Sequence, residues 1–263
     1  MSNRNRIILF GGLLAVIAGL VITAILLYAY WPRTVGEAIS WGNIRILEKI
    51  LQEEKLETGP SAPPYLVQAI WWAPMSLPRG RSVGDRRIAR AKDVSYKMVK
   101  LLVEHGADLN QPSRRIEGDT PLISALRWRM NSVAQYLIEQ GASVDKFNKY
   151  QESPLMNAAV IPDVQQIDIV RMLLDHDAKS TINHVERNGN SALHWAYSPE
   201  IVELLLENGA DPTIRNNKGQ TPLEQAQEYN LKDIVAVLEK YMNADRNQNS
   251  EAEPEIVPEE QGD

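Results

Sequence analysis

One unit of sequence returns again and again in this chain. Four stretches align with one another: GDTPLISALRWR from Gly118, QESPLMNAAVIP from Gln151, GNSALHWAYSP from Gly189 and GQTPLEQAQEYN from Gly219. Each leads into a second apolar stretch, respectively SVAQYLIEQGASVD, DIVRMLLDHDAKS, EIVELLLENGADP and DIVAVLEKYM. The apolar residues of these second stretches recur at helical spacing rather than in strand alternation. Thr or Ser ahead of Pro-Leu is a helix start, because the hydroxyl accepts an N–H of the first turn and proline needs no donor there. The glycine of GAD sits where a helix ends in a left-handed residue. The repeat therefore predicts paired helices joined by turns.

Two weaker copies precede these four. Residues 38–51, AISWGNIRILEKIL, fit a helix-loop-helix, and LVQAI at 66–70 begins a first helix whose partner, KMVKLLVEHGADLN, arrives only at residue 97. The whole pattern resembles the ankyrin repeat, a unit of roughly 33 residues with two antiparallel helices and a protruding turn. The resemblance implies an all-α fold, an ankyrin-repeat solenoid of about six helical hairpins over residues 33–243. It also implies a protein-binding module whose contacts come from the protruding turns and the ends of the first helices. His194 matches the histidine of the family's T-P-L-H motif, whose role there is a hydrogen bond between adjacent turns.

Residues 7–30, IILFGGLLAVIAGLVITAILLYAY, carry no charge. As a helix they would span about 36 Å, enough for a hydrocarbon layer of ~30 Å. A cleaved signal peptide would have a shorter apolar region, and Tyr28, Tyr30 and Trp31 suit an interfacial belt. The expectation is thus a transmembrane helix over residues 7–31 behind a short tail, 1–6, in a single-pass membrane protein. With Arg4 and Arg6 on the short side, the N-terminus is expected in the cytoplasm and the ankyrin domain outside it, in the periplasm if the source is bacterial. Gly11, Ala15, Gly19 and Thr23 form a small-residue stripe that would allow a homodimer through the anchor.

The net charge is −6 and no cysteine is present. An acidic chain without a broad basic face is not expected to bind nucleic acid, and the cysteine count removes disulfides and thiol chemistry. The histidines are His105, His176, His184 and His194. His105 and His176 hold equivalent places at the ends of second helices, and His184 has no evident partner. No phosphate-cradling glycine loop or metal-ligand spacing occurs, so neither an enzyme nor a cofactor is expected.

Aligning the units on Ala38, Ala69, Ala125, Ala158, Ala196 and Ala226 places Trp41, Trp72, Trp128, Ile161, Pro199 and Tyr229 at one equivalent position. This predicts an aromatic ladder along one face, with Trp71 beside Trp72 and Arg127 and Arg129 flanking Trp128. The alternative is that local loops fold over the rings and make them core. A basic insertion, residues 73–93, interrupts the second unit with Arg79, Arg81, Arg86, Arg87, Arg90 and Lys92. It would be a solvated loop, a contact for anionic lipid, or a dock for an acidic protein such as the chain's own tail. Residues 244–263 hold seven acids, one basic residue and two prolines, which reads as a disordered acidic tail. Together these features predict a membrane-tethered adaptor or scaffold for a protein partner. The alternative is an inhibitor or immunity-type protein acting on an enzyme near the membrane.

Overall fold

The computed structural model describes residues 34–59, 61–76, 85–114, 117–160 and 163–251. Among them are twelve α-helices and no strand, arranged as six consecutive hairpins. The hairpins pair α1 (Val35–Ser40) with α2 (Ile44–Glu53), α3 (Tyr65–Ser76) with α4 (Asp85–Glu104), and α5 (Pro121–Arg127) with α6 (Asn131–Glu139). They continue as α7 (Pro154–Ala159) with α8 (Val164–Asp175), α9 (Ala192–Trp195) with α10 (Pro199–Glu207), and α11 (Pro222–Glu228) with α12 (Lys232–Glu251). Each first helix packs on the next first helix, and each second helix on the next second helix. The result is a two-layer solenoid in which every unit touches mainly its neighbours.

Local chemistry explains the helix starts. Thr120, Ser153 and Thr221 accept the backbone N–H three residues on, at 3.2, 3.1 and 3.2 Å, and a proline follows each of them. Ala38, Ala69, Ala125 and Ala158 are fully buried, so the first helices approach closely without a side chain between them. Leu47, Leu102, Leu137, Leu173 and Leu205 fill the same level of the second helices, also fully buried. Burial of each such leucine contributes about 2 kcal/mol.

The turns that project from the helices are closed by one recurring device. The side-chain oxygens of Asn148, Glu186 and Asn216 each accept the N–H groups two and four residues on. The turns then bond to one another through the backbone. Lys149 donates to the Glu117 carbonyl at 2.9 Å, Arg187 to Tyr150 at 3.1 Å, and Asn217 to Asn188 at 2.8 Å.

Three expectations change. The basic insertion is not a loop throughout, because α3 continues past Pro74 to Ser76 and α4 already begins at Asp85. Ile88, Ala91, Ser95, Met98 and Leu102 keep helical spacing through the arginines, and Ala91, Ser95, Met98 and Leu102 are buried. The acidic tail likewise starts later than residue 244, since α12 runs to Glu251 with no proline to stop it before Pro254. The single-pass membrane location, with an extracytoplasmic ankyrin domain, is corrected: among the described residues no helix is long and apolar enough to cross a membrane. The segment expected to do so, residues 7–31 with Gly11, Ala15, Gly19 and Thr23, lies outside the described residues.

The close stacking of turns makes a quantitative prediction. Gly189 has φ +79°, and a Cβ there would meet Asn217 Oδ1 at 2.7 Å and Asn217 N at 2.8 Å. Gly209 has φ +92° with nothing within 4 Å. In urea unfolding, Gly209→Ala should cost about 1 kcal/mol, the left-handed backbone penalty alone. Gly189→Ala should cost clearly more, because backbone of the next turn must move.

Candidate functional site

The first two hairpins enclose an open groove of about 830 Å³ between α1 and α3. Its walls carry Trp41, Trp71, Trp72 and Met75, together with Pro63, Pro64, Val67, Glu37 and Arg114. α1 is fixed by a reciprocal cap in which Thr34 and Glu37 satisfy each other's backbone N–H. It ends at Trp41, whose ring is 54% exposed. Gly42 follows with φ +62°, and a Cβ there would lie 2.2 Å from Trp72 Cζ2. Glycine at this point lets the indole of the second unit lie against the backbone of the first. Trp71 faces the other way along the stack and meets Trp128 edge-to-face, with ring centroids 6.2 Å apart. The Trp71 indole N–H is enclosed with no acceptor. Such a group costs about 1–3 kcal/mol until it is satisfied.

The predicted ladder thus divides. The structure brings Trp41, Trp71 and Trp72 to one groove and joins Trp71 to Trp128. Tyr229 is 46% exposed at the far end of the solenoid, on a helix cap equivalent to Trp41 and Trp128. Ile161 lies outside the described residues. Pro199 is no rung, because α9 is only one turn long and Pro199 opens α10. Trp72 sits inside α3 rather than at its end, since that helix runs on for another turn.

The two arginines beside Trp128 are tied to their own chain. Arg127 donates to Asp119 at 2.9 Å and to Glu152 at 2.5 Å, and lies 3.4 Å from Glu117. Asn148 donates to both Asp119 and Glu152, at 2.8 and 2.7 Å. The cluster therefore clamps the third unit to the fourth. Burial pushes the Glu117 carboxyl upward, and Arg127 offsets part of that rise. Arg129, at φ 54°, pairs with Asp163 at 2.7 Å.

Within the basic stretch, Arg86, Arg87 and Arg90 are exposed on α4, whereas Arg79 and Arg81 lie outside the described residues. Lys92 donates to the Arg129 carbonyl at 2.8 Å. Burial lowers its pKa, helped by the nearby Arg129 and opposed by Asp163. It is a tie between the second and third units. The lipid reading depended on a membrane helix beside this hairpin, and the described residues contain none.

The histidines are all held structurally. His105 and His176 bond the carbonyls of Leu101 and Met172, one turn back in their own helices, at 2.8 and 2.9 Å. His184 does have partners: it stacks on Phe147 with centroids 3.9 Å apart and bonds the Gln151 carbonyl at 3.0 Å. Ser191 Oγ and His194 Nδ1 are 3.0 Å apart, a spacing that could suggest an activated nucleophile. The Ser191 hydroxyl is buried as a helix cap, however, and His194 Nε2 bonds the Gln220 carbonyl of the next turn at 3.0 Å. Among the described residues no group of three or more His, Asp or Glu side chains could hold a metal ion.

A family profile described as ankyrin repeats (3 copies) matches residues 88–184, 146–216 and 180–250. The chain belongs to the ankyrin-repeat family. It is similar to neurogenic locus notch homolog protein 1 of Danio rerio, 30% identical over 50% of this chain and 7% of that protein. It is similar to the mitochondrial disaggregase of Bos taurus, 29% identical over 66% of this chain and 25% of that protein. A putative ankyrin repeat protein of fowlpox virus is 31% identical over 55% of this chain and 43% of its own length. The chain thus spans less than half the length of these relatives. Among solved structures, a chain from a complex of a Bdellovibrio bacteriovorus predatory endopeptidase with an immunity protein superposes with TM-score 0.60. That likeness covers 80% of this chain and 98% of the other at 22% identity, which makes it a statement about the fold.

Sequence reasoning did not single out the asparagine and glutamate that close the turns. Their signal was present, as Asn148, Glu186 and Asn216 all stand five residues before the Ser or Thr that caps the next helix. Two predictions test these assignments. Arg127→Ala should destabilise the protein by about 2–3 kcal/mol, since it strands the carboxylates of Asp119 and Glu152, and chemical denaturation measures this. Burial also holds the His194 imidazole below its ordinary range, while Gln220 and Glu186 pull it upward. A depressed folded value contributes stability that is present above the unfolded pKa and lost as pH falls through the folded one. Stability should therefore decline as pH drops below about 6.5 and level off below the folded value. His194→Asn should lack that slope in thermal unfolding.

Proposed function

We propose that this ankyrin-repeat chain is a non-covalent protein-binding module whose main contact is the groove of Trp41, Trp71, Trp72 and Met75. The observation that carries the reading is the convergence of three tryptophans and Met75 on one open cleft, with Trp41 and Met75 both more than half exposed. Tryptophan is the commonest binding hot spot, and a desolvated ring contributes on the order of 2 kcal/mol or more. Trp128 stands behind this groove as a brace for Trp71, while Tyr229 is a separate contact at the far end.

The first reading is an adaptor or scaffold that holds a protein partner without changing it. The second is an inhibitor of the immunity type, favoured by one specific finding. The structural neighbour comes from a complex that pairs an endopeptidase with an immunity protein and shares the fold over nearly its whole length. An activity assay separates the two: an enzyme partner that loses turnover when bound supports inhibition, and one that keeps it supports the adaptor.

The groove itself is tested by placing a photo-crosslinking residue at Trp41 and, as a control, at Glu203 on α10. A specific adduct from the first site alone is expected. Trp41→Ala should leave unfolding within about 0.5 kcal/mol of the parent, because the ring is exposed. It should weaken partner binding by roughly 30-fold. Equal labelling from both sites, or unchanged binding, would remove the groove from the interface.

A further inference from the structure

The second helix of the second unit is longer than its neighbours. α4 has 20 residues, against 9, 12 and 9 in α6, α8 and α10. Its early turns are packed in place, since Ala91 and Ser95 are buried and Ile88 is half-buried. The outer side of those turns carries Arg86, Arg87 and Arg90, all exposed. Among the described residues none of the three has a carboxylate within ion-pairing distance, whereas Lys97 of the same helix is held by Asp93 at 2.7 Å. Between Asp85 and Lys97 the helix holds five cations and two carboxylates, in a chain of net charge −6. Arg86 and Arg90 are one turn apart, a spacing at which like charges disfavour a helix. Arg86 and Arg87 also fall in the first turn of α4, where the helix dipole favours anions over cations. An anionic partner would relieve both repulsions.

Beside these arginines runs a groove of about 390 Å³ between α4 and the start of α6. One wall is Ala89, Lys92, Asp93 and Tyr96, and residues 130–133 form the other. Arg86 and Arg90 stand three residues before Ala89 and Asp93, so they are surface neighbours of that wall and make its rim. Lys92 is fixed by its bond to the Arg129 carbonyl at 2.8 Å. The Tyr96 ring is held edge-to-face against Tyr136 of α6, with centroids 5.9 Å apart. Ala89 and this ring give the groove apolar surface, and its carboxylate, Asp93, is already paired with Lys97.

We propose that this groove docks an acidic segment of a partner protein, with carboxylates on Arg86, Arg87 and Arg90 and an apolar side chain between Ala89 and Tyr96. Charge complementarity argues for the acidic segment, and the concave, partly apolar wall argues for a peptide. A nucleic acid needs a broad basic face that follows its phosphates, and this one spans only a few turns of one helix. The contact is separate from the tryptophan cleft and does not depend on it.

The test titrates the full chain with a short labelled peptide of glutamates carrying two leucines, at about 0.1 M salt. The backbone amides of residues 86–96 and 131–133 should shift. Arg86→Gln, Arg87→Gln and Arg90→Gln together should weaken binding about tenfold while leaving thermal unfolding in place, because the three side chains are exposed. An all-glutamate peptide should bind several-fold more weakly than the leucine-bearing one, since it cannot fill the groove. Trp41→Ala should leave the peptide's affinity unchanged, so a failure here is distinct from a failure of the tryptophan cleft. The proposal is overturned if the peptide shifts none of these amides, or if the triple variant binds it as the parent does. Tighter binding at the same salt by single-stranded oligothymidylate, or by vesicles rich in phosphatidylglycerol, would assign the arginines to nucleic acid or lipid instead and overturn it as well.

Discussion

Everything in this protein rests on the contact between one repeat and the next. A single hairpin of two short helices has no face to cover its apolar side. α9 is four residues long and could not persist in water alone. Stacking buries the leucines of the second helices and the alanines of the first as one continuous core. The turns add a second, polar connection, in which backbone donors of one turn reach carbonyls of its predecessor. Because the turns are closed internally by Asn148, Glu186 and Asn216, those outward donors are already aimed before stacking begins. Regular packing of this kind tolerates a shortened or lengthened helix, provided both interfaces survive.

The proposed contact surface sits where the repeat is least regular. α3 runs a turn past the point where the first helices of other units stop, and this brings Trp71 and Trp72 into the middle of a helix. Gly42 then gives Trp72 room against the first unit, while Trp71 reaches forward to Trp128. Two side chains adjacent in sequence therefore serve opposite neighbours. The basic residues divide in a similar way. Arg127, Arg129 and Lys92 tie units together, and Arg86, Arg87 and Arg90 remain on the surface of α4.

Much of the architecture was legible in the residues. The Thr-Pro-Leu starts, the glycines after the second helices and the alanine of each first helix reported local chemistry, and local chemistry is what a repeat sequence records. The His194 bond to the next turn was likewise implied by its motif. Less legible was anything that depended on how far a helix continues. The arginines of 79–92 drew attention as a charge run and hid the helical spacing of Ile88, Ala91 and Ser95 beneath them. The acids after residue 244 hid a helix in the same manner. Charge and periodicity were carried by different faces of one segment, and composition weighed only the first.

By itself, the sequence determined the repeat: which residues cap, which are buried, and that six hairpins follow one another in a helical stack. Those features depend on neighbours a few residues away, so they survive in a linear reading. Only the tertiary structure decided which side chains are free to meet a partner. Trp41 and Trp128 hold equivalent places in the repeat, yet one lines a groove at 54% exposure while the other packs edge-on against Trp71 and keeps 38% of its surface exposed. Arg127 looked like a surface contact and is enclosed by three carboxylates from its own and the neighbouring turns. The stretch AIWWAP supplies one wall of a cleft, opposite α1, on a helix that continues through Pro74. Exposure and partnership are set by residues distant in the chain, and their positions exist only once the units have stacked.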